Sequence, residues 1–260
     1  MCTVFIDTHT HLYLPEFDPD RIETVQRAID HGVKAMFLPN VDLETMDKMF
    51  ELAEAFPDIC FPMAGLHPES VHEDFEEKLL QIEKIVQQKK VYGIGETGLD
   101  YYWDQTFNEQ QKESFDRQLK MAIKYKLPIV IHVRNSFDDV IELVQLNASP
   151  DLTGVFHCFT GTMAEAEKII GLGFYLGIGG IATFKNGGLD KVLPDVPLEH
   201  LVLETDSPFL APVPHRGKRN ESSYVVLVAE RIAQLKNISI EEVAHTTTQN
   251  AEKLFKFELK

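Results

Sequence analysis

An apolar run near the amino terminus, Val4-Phe5-Ile6-Asp7-Thr8-His9-Thr10-His11, ends in two histidines that are one residue apart. A β-strand here places Asp7, His9 and His11 on one side, because successive side chains of a strand point to opposite faces. Two imidazoles that leave a strand on the same side can bind one divalent cation. For this run alone, the alternative is a strand end with solvent-facing histidines.

The same unit recurs along the chain: a short apolar run, a polar residue at its end, then an amphipathic segment with helical spacing. The further strand-like runs lie at 34–40, 61–68, 91–96, 128–134, 154–157, 174–179 and 201–206. Helices are predicted over 20–31, 43–56, 74–89, 108–126 and 137–146, after Thr162, and near 187–193, 221–236, 239–246 and 248–256. Eight such units predict an α/β fold, a (β/α)8 TIM barrel formed as a single domain by residues 1–260. A doubly wound open sheet is the competing architecture.

Composition limits the partners of the chain. The net charge of −16 repels polyanions over long range, which argues against broad, tight binding to duplex nucleic acid and leaves room for a local contact. No apolar run approaches the roughly 20 residues that span a bilayer, and no export leader is recognisable. The cysteines Cys2, Cys60 and Cys158 are odd in number and widely spaced, which predicts reduced thiols in a cytoplasmic protein.

Polar side chains stand where the predicted strands end. Functional residues of a barrel collect at the carboxyl ends of its strands. The residues at these positions are His9, His11, Asn40, His67, Glu96, His132, His157 and Asp206. Any one histidine is more readily an ordinary loop residue. In one layer, however, four of these histidines and two carboxylates indicate a site for a divalent metal: His9, His11, His132, His157, Glu96 and Asp206.

The six predicted ligands, His9, His11, Glu96, His132, His157 and Asp206, exceed what one tetrahedral ion uses. Two divalent ions bridged by Glu96 are the economical arrangement, and they would activate a water molecule. Asp206 would bind one ion and accept the proton of the attacking water, so Glu96 and Asp206 are the predicted catalytic residues. Imidazole and carboxylate ligands do not distinguish Mg²⁺, Mn²⁺ and Zn²⁺.

Seven blocks of sequence give the chain a specific resemblance. They are Asp7-Thr8-His9-Thr10-His11-Leu12, Gly65-Leu66-His67-Pro68, Gly93-Ile94-Gly95-Glu96-Thr97-Gly98-Leu99-Asp100-Tyr101, Ile131-His132-Val133-Arg134, His157-Cys158-Phe159-Thr160-Gly161, Leu203-Glu204-Thr205-Asp206-Ser207-Pro208 and Arg216-Gly217-Lys218-Arg219-Asn220-Glu221. In their order and content the chain resembles the TatD family of metal-dependent deoxyribonucleases, within the amidohydrolase-like barrels. The resemblance implies a (β/α)8 fold, metal ligation by the same six residues, and metal-dependent hydrolysis of DNA phosphodiester bonds, with exonuclease action from the 3′ end known among relatives.

Three further side chains are candidates for contact with substrate. Arg134 could hold a phosphate by a bidentate contact, and a salt bridge between loops is its alternative role. Arg216 is the favoured phosphate contact of a compact basic cluster with Lys218 and Arg219, which is otherwise a solvated surface. His67 is predicted to touch substrate or a leaving oxygen, with loop packing as the alternative.

Two other features bear on the site. Glu204 is predicted to orient a metal ligand through a hydrogen bond rather than to bind metal itself. Tyr101, Tyr102 and Trp103 follow the fourth strand, and either base stacking or hydrophobic packing of the loop accounts for them.

The leading functional hypothesis is therefore a metal-dependent 3′-5′ exonuclease that acts on single-stranded or frayed DNA ends. The second keeps the metals and changes the bond, to a small amide, ester or phosphate ester. The third is a non-catalytic barrel that acts as a binding protein. DNA is the predicted substrate, though the sequence does not separate it from RNA, and neither a membrane nor a stable protein partner is predicted.

Overall fold

The strands and helices alternate along the chain in the computed structural model, which describes residues 3–259. The strands are β1 (Phe5–Asp7), β2 (Val33–Pro39), β3 (Cys60–Met63), β4 (Ile94–Asp100), β5 (Ile129–Arg134), β6 (Gly154–Phe156), β7 (Tyr175–Ile178) and β8 (Leu201–Leu203). The helices are α1 (Arg21–Asp30), α2 (Leu43–Ala55), α3 (Phe75–Gln88), α4 (Asn108–Tyr125), α5 (Phe137–Leu146), α6 (Met163–Gly171), α7 (Val225–Lys236) and α8 (Ile240–Phe255).

The eight strands close into a barrel. Strands β1 to β3 form one parallel ladder and β4 to β8 another. At the seam between β1 and β8, the amide of Thr8 donates to the carbonyl of Leu203 at 2.9 Å. At the seam between β3 and β4, the amide of Gly95 donates to the carbonyl of Ala64 at 3.0 Å. The first and last strands therefore meet, which confirms the (β/α)8 barrel and is incompatible with an open sheet.

Apolar side chains fill the barrel below the carboxyl ends of the strands. One buried cluster includes Phe37, Phe61 and Val130, and helix α8 contributes Phe255 from beneath. The rings of Phe37 and Phe255 stack with their centroids 3.9 Å apart. A larger buried layer lies between the strands and the surrounding helices. Apolar side chains thus fill the lower end of the interior, towards the amino ends of the strands. The polar candidate residues lie at the upper end, which is formed by the carboxyl ends of the strands.

The carboxyl-terminal helices differ from the prediction. Segments 239–246 and 248–256 are one continuous helix, α8, instead of two. The β-branched run Thr246–Thr248 weakens a sequence-based helix prediction there. In the fold, Thr247 donates its hydroxyl to the carbonyl of Val243 at 2.8 Å, and Asn250 donates to the carbonyl of Leu201 at 2.7 Å. The Thr247 bond lies within the helix, and the Asn250 bond is a tertiary contact that joins the helix to β8, so the helix continues through the unfavourable run.

Strand β4 lies further along the chain than predicted. The prediction placed it at 91–96, whereas the structure continues it to Asp100 because its second half pairs with β5. Gly98 lies opposite His132 in that ladder, and a Cβ at Gly98 would collide with the carbonyl oxygen of His132. The segment after Glu96 has no continuous apolar run, so its sequence does not predict that the strand continues to the buried carboxylate of Asp100.

Other boundaries also differ from the predictions: the strand predicted at 61–68 is β3, which ends at Met63. The strand predicted at 201–206 ends at Leu203, although the amides of Glu204 and Asp206 still donate to the carbonyls of Ile178 and His9. The helical stretch predicted near 187–193 is a short 3-10 turn, Leu189–Lys191. The helix predicted at 221–236 begins at Val225, after the 3-10 turn Ser222–Tyr224.

Two chain-wide predictions can be examined in the structure. In the described part of the chain, no helix has both the length and the apolar character that crossing a membrane requires. Cys60 and Cys158 are free thiols, as predicted, and Cys60 is buried. Cys2 lies outside the described residues.

Candidate metal centre

Three side chains from the ends of β1 and β8 converge on one carboxylate oxygen from β4. The Nε2 atom of His9 lies 3.1 Å from the Nε2 atom of His11 and 3.1 Å from Oε2 of Glu96. Oδ1 of Asp206 lies 3.4 Å from His11 Nε2 and 3.7 Å from His9 Nε2. The ligand atoms of His9, His11 and Asp206 thus lie close enough together to hold one ion, and Oε2 of Glu96 lies within 3.5 Å of both imidazole nitrogens.

The other oxygen of Glu96 faces a second group of imidazoles. Oε1 lies 2.9 Å from Nδ1 of His132, 3.0 Å from Nε2 of His157 and 3.4 Å from Nε2 of His67. The ring of His157 also stacks on the ring of His9, with centroids 3.9 Å apart. Glu96 therefore stands between two sets of donors and presents one oxygen to each. We call the six predicted ligands, His9, His11, Glu96, His132, His157 and Asp206, the ligand cluster.

The chemistry of these donors suits a divalent cation. Imidazole nitrogens and carboxylate oxygens at such separations, shielded from water, are the combination that Zn²⁺ and Mn²⁺ sites use. The backbone of Asp206 has a φ of +55°, in the left-handed region that a non-glycine residue rarely adopts. Such backbone is found at functional sites, and in this structure it also occurs where helices end, at Lys126 and Asn237. The residues present therefore fit a metal centre.

Electrostatics keep the two carboxylates ionised. Burial alone would raise the pKa of Glu96, but His157, His67 and His9 hold it well below its ordinary value. Burial likewise opposes ionisation of Asp206, yet its contact with His11 and the nearby imidazoles lower its pKa. Both groups are consequently anionic at neutral pH, as cation ligands must be.

The imidazoles of the ligand cluster have further partners on the side away from the cluster. Nε2 of His132 lies 2.9 Å from Oδ2 of Asp100, and Nδ1 of His11 lies 2.9 Å from the hydroxyl of Tyr13. Such partners fix the ring orientation and the tautomer of a ligand histidine. Sequence reasoning missed both Asp100 and Tyr13. The even spacing of Asp100 from Glu96 within β4 is a sequence signal for Asp100, whereas Tyr13 lies in a turn beyond β1, where strand alternation does not apply.

Glu204 lies beside His157, the candidate ligand that it could orient. Its Oε1 is 3.3 Å from Nδ1 of His157 and accepts a hydrogen bond from the amide of Cys158 at 2.6 Å. A Cβ at Gly177 would collide with the Glu204 carboxylate, so glycine on β7 leaves room for it. The geometry is compatible with the predicted role of Glu204.

The remaining predicted residues separate into two groups. His67 lies beside the ligand cluster, with its ring centroid 4.7 Å from that of His132. Asn40 is buried and donates its amide to the carbonyl of Gly65 at 3.1 Å, which ties two loops together. Asn40 therefore has a structural contact of its own, whereas His67 faces the Glu96 carboxylate.

The candidate arginines differ in their contacts. The guanidinium of Arg134 lies 3.9 Å from the ring centroid of Tyr102, and that of Arg216 lies 3.7 Å from the ring centroid of Phe184. Arg219 instead forms an ion pair with Asp20 at 2.7 Å. The basic cluster is thus divided: Arg219 stabilises the loop after β8, and the guanidinium of Arg216 is free of such a pair in the described residues.

Comparison with known proteins identifies the class. The family described as "TatD related DNase" matches residues 6–256, and the chain belongs to this family. An uncharacterized metal-dependent hydrolase of Bacillus subtilis, YabD, is 40% identical over 254 residues, covering 97% of this chain and 99% of the relative. A Pantoea vagans protein named "3'-5' ssDNA/RNA exonuclease TatD" is 33% identical over 257 residues, covering 96% and 98%.

A solved structure agrees with this assignment. The Escherichia coli TatD homologue YjjV superposes with a TM-score of 0.92 at 30% sequence identity, covering 99% of this chain and all of that one. The protein is therefore a TatD-family metal-dependent hydrolase with a (β/α)8 barrel, as the resemblance implied.

Proposed function

We propose that this enzyme hydrolyses phosphodiester bonds of DNA, removing nucleotides from the 3′ end of single-stranded or frayed termini. The observation that carries the proposal is the placement of Glu96, whose two oxygens face separate groups of imidazoles. Two-metal sites are typical of nucleases and phosphatases, and a carboxylate placed in this way would contribute to the binding of both ions. The relative from Pantoea vagans, named as an exonuclease of single-stranded DNA and RNA, supports the substrate class and the direction.

Two divalent ions, Mg²⁺, Mn²⁺ or Zn²⁺, fit the two groups. His9, His11 and Asp206 would hold one together with Glu96, and His132 and His157 would hold the other with the same carboxylate. When bound, such ions activate a water molecule and neutralise charge on the scissile phosphate.

The residues of the chain then have distinct tasks. Asp206 lies at the open side of the ligand cluster and accepts the proton of the attacking water. His67, beside Glu96, contacts the phosphate or the leaving oxygen. Arg134 and Arg216 contact neighbouring phosphates, while Glu204 keeps the ring of His157 in position.

The charge of the protein favours strand ends over duplex interiors. A net charge of −16 opposes a long run of phosphates, since affinity for a duplex depends on many cationic contacts. The guanidiniums of Arg134 and Arg216 form no ion pair within residues 3–259, so they remain available to a few phosphates. A short single-stranded terminus needs no more than this.

The test is hydrolysis of short single-stranded DNA labelled at either the 3′ or the 5′ end. Metal-stripped protein is supplied with Mg²⁺, Mn²⁺ or Zn²⁺, and Glu96→Ala serves as the blank. We expect metal-dependent shortening from the 3′ end that is absent from the variant. Failure to cleave with all three metals, by protein that binds two ions, would refute the proposal and favour a small-molecule hydrolase.

A further inference from the structure

Two aromatic rings stand exposed on the loop that follows β4. Tyr102 is 52% exposed and Trp103 is 60% exposed, although both are large side chains with apolar faces. Their rings meet edge to face, with centroids 4.8 Å apart. Exposed apolar surface that is grouped in one place is a feature of interaction sites.

A cation completes this surface. The guanidinium of Arg134 lies 3.9 Å from the ring centroid of Tyr102 and 5.1 Å from that of Trp103. Within residues 3–259, it makes neither an ion pair nor a hydrogen bond, even though the protein is strongly acidic. We call Tyr102, Trp103 and Arg134 the aromatic platform. Its rings orient the guanidinium and leave its N–H groups free.

The aromatic platform is fixed next to the ligand cluster by one carboxylate. Oδ1 of Asp100 accepts hydrogen bonds from the amides of Tyr102 at 2.8 Å and Trp103 at 3.3 Å. Oδ2 of the same residue lies 2.9 Å from Nε2 of His132. Arg134 is two residues beyond His132 on β5. The two rings are therefore connected to His132 through Asp100, and the guanidinium is connected to it through the strand.

We infer that the aromatic platform binds an unpaired nucleobase of the substrate strand by stacking, while Arg134 contacts the adjacent phosphate. This inference rests on the proposed nuclease function and adds how a single strand is selected. A π-face beside a free guanidinium matches a nucleotide, which presents a flat base and an anion together. Bases inside a duplex have both faces covered, so only unpaired termini can use the platform.

Trp103 offers a direct test because it is the single tryptophan of the chain. Its fluorescence in the metal-loaded wild-type enzyme is followed by stopped flow on mixing with an oligothymidylate of about ten nucleotides. The control is a base-free sugar-phosphate oligomer of equal length and charge. We expect quenching by the oligothymidylate only, and a weaker response in Arg134→Ala.

Each outcome separates the inference from the proposed function. Equal quenching by both oligomers would mean that Trp103 senses charge, which overturns stacking. Cleavage of the oligothymidylate without quenching would leave the nuclease intact and overturn the platform. Quenching without cleavage by any of the three metals would uphold base binding and refute the nuclease.

Kinetics provide a second test. Trp103→Ala should raise KM for the oligothymidylate about fivefold or more, since a base–aromatic stack accounts for at least that factor. Trp103→Phe keeps a ring and should restore most of the affinity. Leu146→Ala, an exposed apolar residue at the end of α5, is the matched control and should leave KM unchanged. An unchanged KM in Trp103→Ala would overturn the inference.

Discussion

The two ends of the barrel interior are equally buried but built from opposite chemistry. At the upper end His9 and Glu96 are 0% and 2% exposed, and at the lower end Phe37 and Phe255 are 0% and 3% exposed. Burying apolar rings stabilises the fold, whereas burying ionisable groups costs free energy unless partners compensate. The buried ionisable groups of the upper end therefore lower the stability of the fold, and the buried apolar rings of the lower end compensate for this loss.

The largest expected effect tests the upper end. Glu96→Gln keeps the volume of the side chain. It removes the negative charge that faces both groups of imidazoles in the ligand cluster. We expect kcat/KM for the proposed substrate, single-stranded DNA, to fall by about a thousandfold, the upper range for losing one pre-organised electrostatic contact. The midpoint of thermal unfolding, measured without metal, should shift by no more than about 4 °C. Retained turnover would contradict the bridging role.

The mirror experiment is at the lower end. Phe37→Ala removes a ring that stacks on Phe255, and large-to-small changes of buried aromatics cost about 3–5 kcal/mol. Urea unfolding should show this loss in the free energy of unfolding. Activity per folded molecule at 25 °C should stay within about threefold of wild type, because the ligand cluster lies at the other end. A selective loss of activity without destabilisation would break the division between the two ends.

Sequence reasoning predicted the candidate metal ligands of the upper end better than the residues that hold those ligands in position. His9 and His11 came from strand alternation, and Glu96, His132, His157 and Asp206 from the rule that function gathers at strand ends; the structure brings all six together. Asp100 was missed because Thr97, Gly98 and Asp100 do not form an apolar run, and only pairing with β5 makes them a strand. The even spacing of Glu96 and Asp100 places them on one face only if the segment is a strand, and pairing with β5 is what makes it one.

Asp100→Asn tests whether such a support matters to the upper end. The amide keeps the shape of the side chain but loses the charge beside His132, so we expect metal affinity to fall by about 10–100-fold. Isothermal titration calorimetry of the metal-stripped protein measures this directly. Asp139→Asn is the matched control, since Asp139 contacts Tyr101 and Lys112 and no imidazole. Equal losses in both variants would point to general destabilisation of the loop.

The smallest expected effect concerns Asp20, a charged residue whose ion pairs should contribute to stability and not to activity, as the apolar residues of the lower end do. Asp20 binds Arg219 at 2.7 Å and Arg27 at 3.1 Å, and Arg27 also binds Glu221 at 2.7 Å. This network ties the loop after β8 to helix α1. Asp20→Asn should cost about 1 kcal/mol of unfolding free energy at pH 7, as for a partly exposed ion pair, with kcat/KM unchanged.

The pH dependence gives this last prediction its sign. The hydrogen bond from Arg219, with that from Arg27, lowers the pKa of Asp20 below its ordinary value, so the unfolded chain binds its proton first as pH falls. The stabilisation is therefore complete well above the unfolded pKa of about 3.9 and declines below it. Urea unfolding at pH 7 and at about pH 4 should show the gap between wild type and Asp20→Asn narrowing at the lower pH. A constant gap would show that Asp20 acts through packing, and a change in kcat/KM would place the network within the functional site.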